Sequence, residues 1–329
     1  MSTMAVLNKT VCIQLSISLW TGQRRLKTED FGDVATKLPP KTVASLGSLK
    51  LCDPAKLDEL KNLKRAAERA CHRLCVRFLG GYATNDDVLP KLTAELDTLS
   101  REFGTKAQAF VNSLRFEIED WKSKHSEWSA AIERALPDVS YVAGRLQFGY
   151  EVFRVQPVSG DVSDTVNSGL GRAIGGLAGQ LFQEIEAEAE EAWKRSYENR
   201  DVVGQKALRP IFSIERKLEA LQYLDPRIGP VIAQIRNVLG TMPKHGEITG
   251  ANLFAVIGLL SLLRSADAMC AHGDAALRGA STVVSDMTTT TPSYHAPVDP
   301  IERELEFEEA PIQTPVIPPV SEPAKGLWF

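Results

Sequence analysis

The chain has few of the residues that carry chemistry in most enzymes. Its 329 residues include five histidines and five cysteines, and neither the Gly-x-Ser-x-Gly nor the His-Glu-x-x-His motif of hydrolases occurs. The cysteines are odd in number and scattered, which is typical of a reducing compartment rather than of a disulfide-linked scaffold. We therefore expect a protein that is not an enzyme and that binds no cofactor and no metal.

Long hydrophobic runs and a strong net charge are also lacking. The most apolar stretch, residues 253–263, has about eleven residues, whereas a membrane span needs about twenty. It is interpreted as a buried helix. The net charge of −4 gives no general attraction to nucleic acid or to an anionic membrane. Because the N-terminal residues also lack the basic and apolar regions of a secretory signal, we expect a cytoplasmic protein with no membrane partner.

One run of apolar residues has the period of an α-helix. From Leu92 to Ile132 these residues recur at steps of three and four, and only His125 interrupts them. The pattern predicts a single helix from about Asp87 to Leu136, roughly 70 Å long at 1.5 Å per residue. The apolar positions are Leu92, Leu96, Leu99, Phe103, Ala107, Phe110, Leu114, Ile118, Trp121, Trp128 and Ile132.

A second helix is predicted over residues 54–79. Asp53 and Pro54 form a start motif, and Gly80 with Gly81 ends the helix. This helix should pack antiparallel on the long helix through the short link 80–86. Further helices are predicted at about 164–199, 207–224, 228–240 and 250–278.

Two strands are predicted, far apart in the sequence. Residues 10–19 alternate between apolar and polar side chains, and a second strand is expected at about 147–156. An isolated strand is not stable, so we expect the two to pair. The predicted fold class is mainly α: an elongated helical bundle with a long antiparallel helical hairpin and a small two-stranded β element.

The predicted elements and the composition divide the chain into four parts. These are an N-terminal strand and loop (1–53), the long helical hairpin (54–136), a strand plus helical bundle (137–280) and a disordered Pro-rich acidic tail (281–329). The tail ends in Leu327, Trp328 and Phe329, which have no core of their own. Two aromatic rings beside a free carboxylate resemble a docking peptide, so these three residues are candidate partner-docking residues.

Several small or charged residues have ordinary structural interpretations. The glycines between Gly171 and Gly179 lack the strand and lysine of a phosphate loop, so they are expected to let another helix approach closely. Gly104 should mark a bend or close crossing in the long helix. Cys71 and Cys75 lie one turn apart and are interpreted as buried side chains rather than metal ligands. The glutamates from position 184 to 191 should be solvated or pair with neighbouring copies.

The helix at 54–79 carries a basic surface. Seven basic residues stand against three acidic ones between Lys56 and Arg77. Such a surface could follow a phosphate backbone, although a solvated or partner-facing surface is the other explanation. The candidate nucleic-acid residues are Lys61, Lys64, Arg65, Arg69, Arg73 and Arg77.

Two short blocks resemble a bacterial and phage family of unknown function. The first is the segment 15–22, Leu-Ser-Ile-Ser-Leu-Trp-Thr-Gly, followed by Leu26 and by Asp30-Phe31-Gly32. The second is the segment 148–150, Phe-Gly-Tyr, followed by the segment 153–155, Phe-Arg-Val. The resemblance covers about residues 8–280. Members of that family are encoded on mobile elements beside MoxR-type AAA+ ATPases and metal-ion-dependent adhesion-type proteins, and no catalytic residues are established for it.

The resemblance implies an AAA+ motor as partner. We therefore expect a non-enzymatic adaptor or structural component that acts with a MoxR-like ATPase of a mobile element or phage, in defence or DNA processing. One alternative is a DNA-binding accessory protein that uses the basic helix. The other is a helical structural protein that self-associates.

Overall fold

The computed structural model describes residues 3–30, 46–158 and 164–279. Contacts divide the chain into Met1–Asp286 and Met287–Phe329, and every described residue belongs to the first unit. That unit is mainly helical with small antiparallel sheets, as the sequence predicts. The acidic tail and its last three residues, Leu327, Trp328 and Phe329, lie outside the described residues, and the division into four parts stays a prediction.

Helices and short strands alternate in the N-terminal half of the described chain. They are α1 (Thr3–Lys9), β1 (Val11–Ser18), β2 (Gln23–Arg25), β3 (Ser48–Lys50), α2 (Asp58–Leu74), β4 (Val76–Phe78), β5 (Gly81–Thr84), α3 (Leu89–Lys124), α4 (Ser129–Glu133), α5 (Val139–Arg145) and β6 (Gln147–Phe153). The C-terminal half is more helical. It comprises α6 (Asp164–Gly175), α7 (Leu177–Ser196), β7 (Val202–Gly204), α8 (Arg209–Ala220), α9 (Ile228–Gly240), β8 (Glu247–Thr249), α10 (Gly250–Leu263) and α11 (Ala266–Leu277).

The predicted pairing of the two distant strands is confirmed. Strands β1 and β6 are antiparallel, with Cys12 opposite Phe153 and Ser18 opposite Gln147. The expectation of a two-stranded element was wrong, because the sheet has four strands in the order β4-β5-β1-β6. Two further antiparallel pairs, β2 with β3 and β7 with β8, lie outside this sheet.

The two extra strands come from residues that the sequence assigned to the end of a helix and its link. Helix α2 ends at Leu74, and β4 and β5 form a hairpin around Leu79 (φ 48°) and Gly80 (φ 81°). Two successive positive φ values characterise the type I′ turn, whose twist suits a two-residue hairpin. Gly81 is required next to it, because a Cβ atom there would lie 2.6 Å from the Ile13 carbonyl oxygen.

The start predicted at Asp53 and Pro54 is confirmed. The Asp53 carboxylate accepts a hydrogen bond from the Ala55 N–H at 3.0 Å, and a 3-10 turn over Pro54–Leu57 leads into α2. Three ion pairs join α3 to α2 and to the 3-10 turn before it: Lys56–Glu117 from the turn, and Lys106–Glu59 and Arg73–Glu95 from α2. Their order along the turn and α2 is the reverse of their order along α3, so the two helices run in opposite directions.

The long helix is shorter than the apolar series predicts. Helix α3 has 36 residues, about 54 Å, and it ends at Lys124, directly before His125, the one polar position in the series. A 3-10 turn over Ser126–Trp128 then leads into α4. The apolar residues of α4 still face the same core as those of α3. Ile132 of α4 is buried in the same cluster as Phe110 and Leu114 of α3. The sequence therefore predicts the buried side of both helices correctly and misses the turn between them.

The structure has helices in the regions of the C-terminal half where they were predicted, but several begin or end at other residues. The helix predicted at 228–240 is α9, whereas those predicted at 164–199 and 250–278 are each two helices. A 99° bend separates α10 from α11. Six of the fourteen residues of α10 are buried, which confirms the interpretation of residues 253–263 as a buried helix. In the described ranges no single helix is long and apolar enough to span a membrane; α10 and α11 reach those limits only as a bent pair.

The glycines of α6, α7 and α3 were misinterpreted. A Cβ atom placed on Gly171, Gly175 or Gly179 would meet no other described atom within 4 Å, so no helix approaches them closely. Gly175 and Gly176 instead mark the junction of α6 and α7. Gly104 is exposed and also has open space around it, which overturns the expected close crossing.

Candidate functional site

A buried charge network lies where α2 and the four-stranded sheet meet α7 and α8. Lys217 of α8 is 1 % exposed, and its Nζ lies 2.7 Å from Glu188 Oε1. The same ammonium lies 3.0 Å from Glu184 Oε2, an ion pair without hydrogen-bond geometry. Glu184 and Glu188 stand one turn apart on α7 and so face the same way. One buried cation is thus held between two carboxylates.

The network continues to the sheet through Arg77 of β4. The Arg77 backbone N–H donates to Glu184 Oε1 at 3.2 Å, and its guanidinium lies 3.0 Å from His72 Nε2. The guanidinium also lies 4.6 Å from the centre of the Tyr82 ring, as in a cation–π contact. Because arginine can only donate, His72 Nε2 is the acceptor and its proton sits on Nδ1.

Burial sets the protonation of this network. It lowers the pKa of His72, and the neighbouring Arg77 cation lowers that pKa further. Burial also raises the pKa of Tyr82 to about 12. A neutral imidazole and a neutral phenol therefore accompany the charged Arg77 and Lys217. The polar contacts of this network hold α2, β4, β5, α7 and α8 together. We therefore interpret its role as structural.

The other glutamates of α7 also have partners within the chain. Glu186 accepts a hydrogen bond from the Ala266 N–H, Glu190 pairs with Arg264, and Glu191 pairs with Arg195. The expectation that this run is solvated or pairs with neighbouring copies was therefore wrong for Glu184, Glu186, Glu188 and Glu190, whereas Glu191 is 73 % exposed and pairs only within its own helix. The partners of the inward-facing glutamates come from α8, α11 and its preceding turn, which are distant in sequence.

The cysteine pair has the predicted role. Cys71 is 0 % and Cys75 is 1 % exposed, in a core cluster with Leu92 and Leu96. Burial raises the pKa of the Cys71 thiol to about 12 and moves that of Cys75 still further in the same direction. Over residues 3–30, 46–158 and 164–279, no group of three or more His, Cys, Asp or Glu side chains is placed to hold a metal ion.

The six candidate nucleic-acid residues do not form one free surface. Lys61 pairs with Asp58 at 2.8 Å and Arg73 with Glu95 at 2.7 Å. Arg77 lies on β4 rather than on the helix, and its exposed side chain contacts His72 and Tyr82. Four of the six, Lys64, Arg65, Arg69 and Arg77, have no ion-pair partner in the described part of the chain, and the first three of these lie on α2.

An apolar groove that the sequence did not predict lies at the end of α3. It has a volume of about 240 Å³, and we call it the aromatic groove; it is lined by Leu26, Ser48, Leu49, Lys50, Trp121, His125, Trp128 and Ile132. Trp121 Nε1 donates to the Lys50 carbonyl at 3.2 Å, and the Trp121 and His125 rings are 4.2 Å apart between centres. Trp128 is 37 % exposed at its rim. The interruption of the apolar series at His125 was the sequence feature that marked this position.

Residues 7–265 match the model of a family described as a protein of unknown function, DUF3150. The chain belongs to the DUF3150 family. The matched region contains both blocks on which the resemblance rested, and these blocks overlap the paired strands β1 and β6. Neither a curated protein nor a solved structure matches this DUF3150 protein.

Proposed function

We propose that this DUF3150 protein is a non-enzymatic helical adaptor or structural component that acts with a MoxR-like AAA+ ATPase of a mobile element or phage. Its setting would be cytoplasmic, in defence or DNA processing. The partner is taken from the family resemblance of the two sequence blocks. The aromatic groove is the observation that favours an adaptor, because it offers an apolar contact surface beside a long helix.

In this proposal α2 and α3 act as a long antiparallel helical hairpin within an elongated bundle. A stiff arm is supported by the two ion pairs between the helices, by the pair from the turn before α2, and by the core cluster that contains Phe103, Phe110 and Leu114. A stiff arm suits an adaptor because little conformational entropy is lost when it binds. The arm would hold the aromatic groove at one end.

The groove has the composition of an interface centre. Tryptophan is enriched among the residues that contribute most to protein–protein binding, particularly in pockets that exclude water. The hydrogen bond from Trp121 to Lys50 fixes one wall, and the ion pair of Lys122 with Glu133 fixes the turn that carries Trp128. We propose that an apolar side chain of the ATPase fills this groove.

The test is co-expression with the ATPase encoded beside the gene, followed by affinity purification and gel filtration. The wild-type chain should elute with the ATPase, and Trp128→Ala should elute without it. Phe254→Ala is the matched control, because Phe254 of α10 is an aromatic residue that is 72 % exposed and lies outside the groove. A wild-type chain that elutes alone, or a Trp128→Ala variant that still binds as well as the control, contradicts the proposal.

The predicted docking role of the tail tip has its own variant. A chain that ends at Lys325 lacks Leu327, Trp328 and Phe329 but keeps every described residue. If the tip docks, this truncation should weaken binding to the ATPase while Trp128 is intact. Unchanged binding would exclude a docking role for the tail tip and would not affect the proposed role of the aromatic groove.

A DNA-binding accessory role remains the second candidate, because Lys64, Arg65 and Arg69 have no ion-pair partner among the described residues. Charge reversal at Arg65 and Arg69 tests it without disturbing the contacts of Arg73 and Arg77. Salt-sensitive DNA binding that this variant loses would support the role. DNA binding that the variant retains would exclude this surface.

A further inference from the structure

A basic cleft lies between the end of α7 and the start of α8. Its volume is about 420 Å³. Four of its lining residues, Arg195, Arg200, Lys206 and Arg209, are basic, and none of the described residues that line it is acidic. The net charge of the whole chain is −4, so this concentration of cations is local.

The chain brings these cations together by turning around Tyr197. The Tyr197 side chain is 1 % exposed, and its hydroxyl donates to the Ala207 carbonyl at 2.9 Å. Asn199 adopts a left-handed conformation (φ 56°), which reverses the chain after α7. The Gln205 amide donates to the Pro243 and Gly246 carbonyls and so anchors the far side of the turn. The cleft is therefore built by buried contacts rather than by a loose surface loop.

The cations in the cleft lack strong counter-charges. Lys206 and Arg209 have no carboxylate within ion-pair distance in the described ranges. Arg195 pairs only with Glu191 on its own helix, and both side chains are more than 60 % exposed, which makes the pair weak. Arg200 donates to the Arg195 carbonyl at 3.4 Å and meets no carboxylate among the described residues. Four like charges in one concave site attract an anion.

The basic surface continues along α8 with an aromatic residue in it. Arg209, Phe212 and Arg216 follow at steps of three and four, so they share one exposed face, and Phe212 is 43 % exposed. The acidic residues of α8 beside them, Glu215 and Glu219, are paired with Arg236 of α9. Cations that alternate with an exposed ring are the features with which proteins hold single-stranded nucleic acid, phosphates on the cations and bases stacked on the ring.

We propose that this cleft and the adjoining face of α8 bind a single strand of nucleic acid. The phosphates lie against Arg195, Arg200, Lys206 and Arg209, and a base stacks on Phe212. Arginine suits this role because its planar guanidinium holds a phosphate through two parallel hydrogen bonds. The proposal does not depend on the ATPase partner or on the basic residues of α2.

The test measures the fluorescence anisotropy of a labelled oligothymidylate, and of the matching oligouridylate, with the full-length chain over a series of salt concentrations. Wild-type binding should weaken as salt rises. In the double variant Lys206→Glu, Arg209→Glu, affinity should fall at least about tenfold, and the slope of log K against log salt should become shallower by about 0.7 for each phosphate that the variant no longer neutralises. Phe212→Ala should lower affinity by about tenfold with an unchanged slope, because stacking involves no counterion.

The matched control is Lys91→Glu, Arg115→Glu, which makes the same change of charge at two exposed residues of α3 and should bind like the wild type. The variant Arg65→Glu, Arg69→Glu tests the basic surface of α2 in the same assay. The variant Lys206→Gln, Arg209→Gln repeats the test with smaller changes, and circular dichroism with thermal unfolding shows that each variant is folded. Three results overturn the proposal: no binding by the wild type at low salt, loss of binding in the α2 variant alone, or equal binding of a duplex with no effect of Phe212→Ala. Preference between the two oligonucleotides distinguishes a DNA strand from an RNA strand.

Discussion

Lys217 Nζ lies 2.7 Å from Glu188 Oε1, although the lysine is almost inaccessible to water. Glu188 and Glu184 keep 35 % and 19 % of their side-chain surface exposed, so the pair is buried on the lysine side and open on the other. This arrangement connects α7 with α8 at the point where both meet the sheet. The stability of that junction follows from the charge of one ammonium group.

We expect Lys217→Met to lower the free energy of unfolding by about 3 kcal/mol. Removing one partner of a buried ion pair leaves the other charge without compensation, and the cost is at the lower end of the usual range because both carboxylates reach water. Urea denaturation followed by circular dichroism measures the change. Replacing Glu184 and Glu188 by glutamine in the same chain should recover part of the loss.

The control for this prediction is Lys61→Met. Lys61 and Asp58 form an ion pair at a similar distance, 2.8 Å, but their side chains are 35 % and 59 % exposed. Exposed pairs contribute about 0–1 kcal/mol, so this variant should be nearly as stable as the wild type. Equal losses of stability in both lysine variants would show that burial of Lys217 does not determine its contribution.

His72 should titrate below the usual histidine value of about 6.5. Burial lowers its pKa first and the Arg77 guanidinium lowers it further, so Arg77→Gln should raise the pKa while leaving it below 6.5. The midpoint of the His72 ring proton shifts in NMR measures both values. A pKa that does not respond to Arg77→Gln would contradict the contact at 3.0 Å.

The same histidine makes stability depend on pH. Its pKa is lower in the folded chain than in the unfolded chain, so the unfolded chain takes up the proton more readily as pH falls. The contribution of His72 to the free energy of unfolding should therefore be complete above about pH 6.5 and should decrease below it. In a His72→Gln variant, denaturant midpoints measured from pH 8 to pH 5 should decrease less than in the wild type.

Two glycine-to-alanine changes should have opposite effects. Gly104 lies exposed within α3 with open space around it, so Gly104→Ala should stabilise the chain by about 0.5–1 kcal/mol. Gly81→Ala would place a Cβ atom 2.6 Å from the Ile13 carbonyl and should destabilise the chain by about 1–3 kcal/mol. Thermal unfolding compares the two variants. A decrease in stability in Gly104→Ala would indicate a contact that the structure does not contain.

The thiols should react unequally in the native protein. Cys12, Cys52, Cys71 and Cys75 are buried, and only Cys270 is partly accessible. Burial raises the pKa of Cys12 and Cys52 to about 11, so little thiolate is present at neutral pH. A thiol reagent should modify one cysteine quickly, and all five in guanidinium chloride; Cys270→Ser should remove the fast reaction. More than one fast thiol in the native wild type would contradict the packing around these cysteines.

The sequence predicts those parts of the fold that depend on local pattern. Strand β1 follows from alternation, α9 from its apolar period, and the buried sides of α3 and α4 from steps of three and four. The hairpin of β4 and β5 was missed because Ala70, Leu74 and Phe78 follow at the helical step of four, so the apolar pattern of α2 continues into β4. Only the turn at Leu79 and Gly80 separates the two possibilities, and leucine rarely adopts a positive φ.

Contacts between elements that are far apart in the chain could not be predicted from the sequence. Lys217 lies 29 residues from Glu188, and nothing in the local pattern of α8 shows that this lysine faces inward. The aromatic groove depends on a turn at His125, and the basic cleft on a chain reversal around Tyr197. In the groove and in the cleft, the helices follow from the local sequence pattern. The turns of the chain that bring their residues together do not.

The proposed role of this DUF3150 protein is contact with a MoxR-like ATPase through the aromatic groove. Isothermal titration of the full-length chain with a purified MoxR-like ATPase is the decisive measurement. We expect a defined complex whose affinity falls at least about thirtyfold in Trp128→Ala, as for a residue that contributes about 2 kcal/mol, and does not change in Phe254→Ala. Absence of binding by the wild type, or equal affinities for both variants, would contradict it.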